Sequence, residues 1–282
     1  MKDLRYIAKF LMLLAIAVSA CQEEEIDYDP GNPRPSVGAY TTTSNSLLIN
    51  ASPGAKSPQK NPPVVFYMVN NVLVTTTNPV DTVEFNYLNT PSNRGILATP
   101  STQIRFINKD GNTSMGANNF NVRQGRSYST FLIDTLGRSG GHRVLQFEDN
   151  LTAPSSGRAN VRFINLSPNA PEVYLSIQAD SSDFYNLLIP PSTPNASLPS
   201  TSVRRYAETS RRIGADNKDF ALFVSVPAGT YDLNVSRTGS KELVTPLSGT
   251  VFSAGKIYTV YLRGLVGGDA GQEIGATIIQ HN

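Results

Sequence analysis

The 282-residue chain contains no tryptophan, two histidines and one cysteine, and each shortage removes a class of chemistry. A single thiol cannot close an intramolecular disulfide, so the fold must be held by buried apolar surface, which a domain above roughly 100 residues supplies. The histidines, His142 and His281, each fall in the closing strand of one half of the chain. This predicts comparable places in separate domains, too far apart to share a metal. No Cys-x-x-Cys, His-Glu-x-x-His or Gly-x-Ser-x-Gly occurs, so no zinc site, thiol nucleophile, serine nucleophile or cofactor is expected. Charged residues make up 16% of the chain and the formal net charge is +2, too weak a field to recruit nucleic acid. Without tryptophan the best stacking platform for a sugar ring is missing, although 12 tyrosines remain. The acidic stretches "EDN" (148–150) and "GGDAGQE" (267–273) lack the spaced ladder of a calcium loop. "GLVGGDAG" (264–271) lies between two strands with no helix N-terminus to receive phosphate, and reads as a flexible connection.

What is present begins with a leader. In "MKDLRYIAKFLMLLAIAVSAC", Lys2, Arg5 and Lys9 precede an apolar run from Phe10 to Val18, short for a membrane span and suited to a secretory signal. The run ends in Ser19 and Ala20 directly before Cys21. This pattern resembles the lipobox of bacterial lipoproteins, which implies removal of residues 1–20 and a diacylglyceryl thioether on Cys21 as the link to the membrane. One acyl chain binds only marginally, whereas two or more form a stable anchor at about 0.8 kcal/mol per buried CH2. Behind Cys21, Glu23, Glu24, Glu25, Asp27 and Asp29 crowd ahead of Pro30, Gly31, Pro33 and Pro35, so residues 21–36 read as a disordered tether. Acidic residues in that place resemble the surface-export signal of Bacteroidetes lipoproteins, which implies an outer-membrane protein facing the cell exterior. A spacer facing the periplasm is the alternative.

The remaining chain reads as two copies of one unit. "LLINASPGA" (47–55) matches "RFINLSPNA" (162–170), and "NVRQGRSYSTFLIDTLG" (121–137) matches "TVFSAGKIYTVYLRGLVG" (250–267), while "HRVLQFEDN" (142–150) and "IGATIIQHN" (274–282) close the copies. The offset grows from 115 (Leu47 to Arg162) to 130 (Ser127 to Ile257), which marks a longer middle section in the second copy. The break "NLTAPSSGRA" sets repeats of 37–156 and 157–282, and its shortness predicts domains touching end to end. Within each unit the period is two: Tyr231, Leu233 and Val235 share one face, as do Tyr258, Val260 and Leu262, and Phe220, Leu222, Val224 and Val226. "PAGT" between two of these runs reads as a tight turn with Gly229 at positive φ. One-sided strands of this kind hide their apolar faces by closing against a second sheet, so each repeat is expected to be a β-sandwich in an all-β protein.

The second copy's insertion, 185–219, carries Arg204, Arg205, Arg211 and Arg212 with Tyr206. Loops on a rigid sandwich are the usual seat of binding, which makes these residues the candidate partner surface. The plainer reading leaves the arginines solvated, or paired with Asp216 and Asp219. Tyr67, Tyr87, Tyr174, Tyr185 and Tyr206 are the loop-proximal aromatics available to a glycan, although tyrosine in a sandwich is more often half-buried.

The phrases at Arg162–Ala170, Pro227–Tyr231 and Ala254–Thr259 resemble the bacterial family of domain of unknown function 4397. The first copy keeps "INASPGA" and "RQGRSYSTF" but has "INKDGNTS" where the Pro-Ala-Gly-Thr-Tyr turn would come. The resemblance implies extracytoplasmic, immunoglobulin-like sandwiches in tandem and carries no catalytic residues. The expected function is that of a non-enzymatic, lipid-anchored envelope protein that binds or spaces a glycan or protein partner, with its oligomeric state open. A carbohydrate-active accessory protein or carboxylate hydrolase is one alternative, and a purely structural envelope component is another.

Overall fold

The computed structural model describes residues 43–53, 65–69, 72–73, 95–98, 100–108, 114–135, 141–185, 201–213 and 216–282. The signal, Cys21, the acidic tether, Tyr87 and the first half of the insertion lie outside these residues. Thr42–Asn282 form one compact unit.

The protein is all-β. In the first half, β1 (Thr43–Asn50), β2 (Val65–Val69), β3 (Val72–Leu73), β4 (Gly95–Ala98), β5 (Ser101–Asn108), β6 (Ser114–Asn121), β7 (Ser127–Ile133) and β8 (Arg143–Asp149) build two sheets, β4-β1-β7-β8 and β3-β2-β5-β6. The second half has β9 (Arg158–Asn165), β10 (Val173–Ile177), β11 (Ser210–Ile213), β12 (Asp216–Asp219), β13 (Val224–Pro227), β14 (Gly229–Arg237), β15 (Leu243–Phe252), β16 (Ile257–Arg263) and β17 (Gly275–Gln280). Its sheets run β13-β9-β16-β17 and β10-β14-β15, with β11 and β12 forming a separate ribbon. Apart from β3 and the β11–β12 ribbon, the two halves repeat the same order. In each, the opening strand pairs in parallel with the penultimate one, Asn45 opposite Ser127 and Asn160 opposite Ile257. These registers preserve the offsets of 115 and 130.

This order is a β-sandwich but not the immunoglobulin one, in which the first strand neighbours the second. Here the first strand is interior, flanked by the fourth and seventh, because the chain changes sheet directly after it. The "PAGT" segment is a second such change. Pro227 ends β13 in one sheet and Gly229 opens β14 in the other, paired with Phe252. Gly229 is absent from the positive-φ residues, since a crossing between sheets needs a bend and not a two-residue hairpin. The Tyr231 hydroxyl donates to the Pro227 carbonyl at 2.8 Å and pins that bend. In the first half the equivalent crossing joins β4 to β5 at 98–101, so "INKDGNTS" corresponds instead to the β14–β15 connection. The expected strand through Phe220 is also shorter, starting at Val224.

The shared phrases have shared physical causes. Asn50 Oδ1 accepts the Ser52 N–H and Asn165 Oδ1 the Ser167 N–H, each at 3.1 Å. Ser52 Oγ donates to the Asp134 carbonyl at 2.6 Å, and Ser167 Oγ to that of Gly264 at 2.7 Å. Asp134 and Gly264 both sit just past the penultimate strand with positive φ, 75° and 86°. The turn before that strand repeats as well: Arg123 N–H donates to Tyr128 Oη at 2.9 Å and Ser253 N–H to Tyr258 Oη at 3.1 Å. Ser52→Ala and Ser167→Ala are each expected to lower stability by about 1–2 kcal/mol, because each orphans a buried carbonyl partner, with nearly additive losses in the double variant. Chemical denaturation of the three variants checks this.

Three cores follow. Leu48, Leu97, Ile104, Phe106, Leu132 and Val144 fill the first sandwich, and Val161, Phe163, Leu175, Leu233, Val235 and Val260 are among those filling the second. The third core lies between the repeats, where Leu47, Ile49, Phe131, Ile133 and Phe147 meet Ile164, Leu166, Tyr261 and Ile279. The repeats therefore pack sheet on sheet rather than end to end. The central strands β7 and β16 are buried on both faces, so every residue of "IYTVYL" is inside.

Candidate functional site

Among the described residues, two gatherings of buried polar groups include charged side chains. The first lies between the repeats. Arg162, on β9, points away from its own core, and its guanidinium is fully buried. It donates to Asp149 Oδ1 at 2.8 Å, to Thr259 Oγ1 at 3.2 and 2.9 Å, and to the Ala221 carbonyl at 3.1 Å. The ring centroids of Phe223 and Phe147 lie 4.4 and 5.1 Å from its central carbon. Asp149 Oδ2 accepts Ser129 Oγ at 2.7 Å, with His281 Nδ1 3.5 Å away, and His281 Nε2 shares a 2.8 Å hydrogen bond with Thr259 Oγ1. Thr259, His281 and Asp149 thus have the connectivity of a hydroxyl–imidazole–carboxylate triad. None of the three side chains reaches solvent, and Arg162 already occupies the hydroxyl, so the group holds the two repeats together and meets no substrate. His142 and His281 are not equivalent after all: His142 precedes β8, whereas His281 follows β17 and corresponds to Asp149, through the registers Tyr128 opposite Glu148 and Tyr258 opposite Gln280.

The second place is the segment 201–213, laid along β10. Arg204 exchanges backbone hydrogen bonds with Val173 at 3.1 and 2.7 Å. Its side chain is not on the surface, being 1% exposed. It donates to the carbonyls of Phe163, Thr201 and Val203 at 2.7–3.0 Å and stacks on Phe220, 4.0 Å from the ring centroid. Burial depresses its pKa to about 10, with Tyr185 and Asp183 opposing. Arg204 sits in the core because its guanidinium satisfies three carbonyls at once where the insertion closes on the sandwich. Tyr206 packs against the inter-repeat core with the Arg143 guanidinium 5.3 Å from its ring centroid. Burial is the main cause raising its hydroxyl to about 12. Arg205 and Arg211 converge on Glu172, at 3.2 and 3.0 Å, and Arg211 also meets Glu208 at 2.8 Å. Burial alone would raise the Glu172 pKa, but the two arginines outweigh it and hold it low. Among the described side chains the partners of Arg205 and Arg211 are thus Glu172 and Glu208, while Asp219 accepts the Ala221 N–H and the expected pairing with Asp216 lies outside them. Arg205 is 63% exposed in its side chain and Arg212 is also exposed, so these two keep the outward placement expected of a partner surface.

Of the loop-proximal tyrosines, Tyr174 and Tyr185 are buried and donate to the carbonyls of Ser181 and Val161. The glycine-rich loop after β16 is tightly held: Asn169 bonds both the N–H and the carbonyl of Val266, at 2.9 and 3.0 Å, and Leu265 N–H donates to Gln272. Among the described residues no group of three or more His, Cys, Asp or Glu is placed to hold a metal, and no helix is long and apolar enough to cross a membrane. Composition hid Arg162, Asp149, Thr259, Glu172 and Glu208. The available signal was an arginine at 162, between Val161 and Phe163, where the first copy has Leu47.

The chain resembles the family described as domain of unknown function (DUF4397), whose model matches residues 46–176. That window runs from β1 to β10 and includes the Arg162–Ala170 phrase but not those at Pro227–Tyr231 and Ala254–Thr259. No curated protein matches the chain in sequence. Among solved structures, a family 41 carbohydrate-binding module from streptococcal virulence factors, reported to recognise alpha-glucan, is 11% identical with a TM-score of 0.22, covering 78% of this chain and 93% of its own. A Bacteroides fragilis protein described as a candidate for cell adhesion is 9% identical with a TM-score of 0.19, covering 86% of this chain and 97% of its own. At these values neither likeness bears on what this chain does.

Proposed function

We propose that the protein is a non-enzymatic, lipid-anchored component of the bacterial envelope that presents a glycan- or protein-binding surface on a doubled sandwich, held off the outer membrane by the tether behind Cys21 and facing the cell exterior. The observation that carries the reading is the division of labour among the arginines. Arg162 and Arg204 are engaged inside the fold and the largely covered Arg211 is held by Glu172 and Glu208, while Arg212 and Arg205, the latter tied to Glu172 yet mostly exposed, face outward on the segment bound along β10. Residues 37–156 and 157–282 act as two modules of one body on this reading, with 1–20 removed and 21–36 as spacer.

Two experiments test it. Mass spectrometry of the membrane-extracted protein is expected to find a lipid thioether on Cys21, and Cys21→Ala should release the chain from the membrane fraction. Protease shaving of intact cells distinguishes the exterior from the periplasmic face. Glycan-array and pull-down screening of the soluble chain should then be repeated with Arg205→Ala/Arg212→Ala, which leaves Arg204 and Arg211 in place. Loss of a binding signal with unchanged unfolding supports the assignment, whereas unchanged binding moves the surface elsewhere. A soluble chain that binds no glycan and no envelope protein leaves the purely structural reading. The hydrolase alternative has nothing to recommend it in Asp149 or Asp134, since both are buried and engaged, with Arg162 and Arg143 respectively.

A further inference from the structure

We infer that the joint between the repeats is a self-complementary face with a built-in pairing code, such that a first repeat accepts only a second-repeat face, whether from its own chain or from a second copy of it. Residues equivalent in the two repeats meet one another across the joint. Phe131 packs edge-on against Tyr261 with ring centroids 5.6 Å apart, and Asp149 faces His281 at 3.5 Å. Contacts between equivalents are what an isologous, two-fold interface requires. The apolar residues are shared in kind: Ile49 corresponds to Ile164, Ala51 to Leu166 and Phe147 to Ile279, all in one core. On apolar surface alone a first repeat would pair with another first repeat as readily as with a second.

The polar positions break that symmetry. A pair of first repeats would bring Asp149 against Asp149 in a dry interface with Leu47 in place of Arg162. A pair of second repeats would set Arg162 and His281 against their own copies with no carboxylate to receive them. Only the mixed pair joins Asp149 to Arg162 and His281, so the code works by penalising the like pairings. The connection between β8 and β9, residues 150–157, is mostly exposed and outside any strand. Two chains that exchange halves reciprocally would close into a two-chain ring.

Charge exchange in the intact chain tests the code. Asp149→His and His281→Asp are each expected to lower the denaturation midpoint. The double variant should recover at least half of the summed loss, because position 281 shares the Thr259 hydroxyl with Arg162 and can return a carboxylate to it. Losses that simply add would overturn the inference. Independently, a protease site placed within 152–156 allows the folded protein to be cut, unfolded in urea and refolded. Native mass spectrometry should then show the mixed pair at least about 100-fold above either like pair. Like pairs of comparable abundance, or halves that fold but stay apart, would overturn it too.

Discussion

Asp149→Ala is expected to lower the folding free energy by about 3–5 kcal/mol, a large part of the ~5–15 kcal/mol that holds a domain of this kind together. The reason is what the substitution leaves behind. Arg162 loses the Asp149 carboxylate inside a joint where its side chain is fully buried, and the Thr259 hydroxyl, the Ala221 carbonyl and the faces of Phe147 and Phe223 beside it carry no full charge. The Ser129 hydroxyl is orphaned at the same time. Removing both charges should be far milder. Asp149→Ala/Arg162→Leu puts at 162 the residue that the first copy has at Leu47, and buried ion pairs replaced by packed apolar groups are often neutral or even stabilising. Urea midpoints at constant slope for the two singles and the double settle the matter. A double variant as weak as Asp149→Ala would show that the ion pair contributes more than its own desolvation cost.

Much of the fold was legible because the strands have period two and the phrases recur. "INASP" and "INLSP" spell the same asparagine–serine turn, and "RQGRSY" and "SAGKIY" spell the same tyrosine-capped turn from one sheet to the other. The sheet order was not legible. Strand patterning states which residues face inward but not which strand is the neighbour, and the parallel pairing of β1 with β7 joins residues more than 80 positions apart, Asn45 with Ser127. The way the repeats dock was hidden for a related reason. Thr259 and Tyr261 look like the solvent side of an alternating strand, yet a second layer covers them, and a strand buried on both faces reads as amphipathic when its second face carries hydroxyls. The arginine assignments failed on burial. Arg204 differs from Arg205 only in pointing inward, and in an irregular segment nothing periodic announces which way a side chain turns.

Stability is expected to fall by about 3 kcal/mol as pH drops from 7 toward 4, from His142 alone. The imidazole is 7% exposed, and neither ring nitrogen has a hydrogen-bond partner among the described residues. Burial pushes its pKa from 6.5 down to about 4, with the Asp134 charge opposing only in part. Between those two values the unfolded chain binds a proton that the folded chain refuses, so acid favours unfolding there. Above the unfolded value both states hold a neutral ring and the effect vanishes, while below the folded value both are charged and the loss is complete. A shift of this size corresponds to roughly 1.4 kcal/mol per unit. The control is His142→Leu, which removes the titrating group and fills the same apolar space. The difference between the urea midpoints of wild type and variant should be flat above pH 7 and widen steadily below pH 6.5. A difference that stays constant across the whole range would mean that the imidazole reaches water in the folded protein.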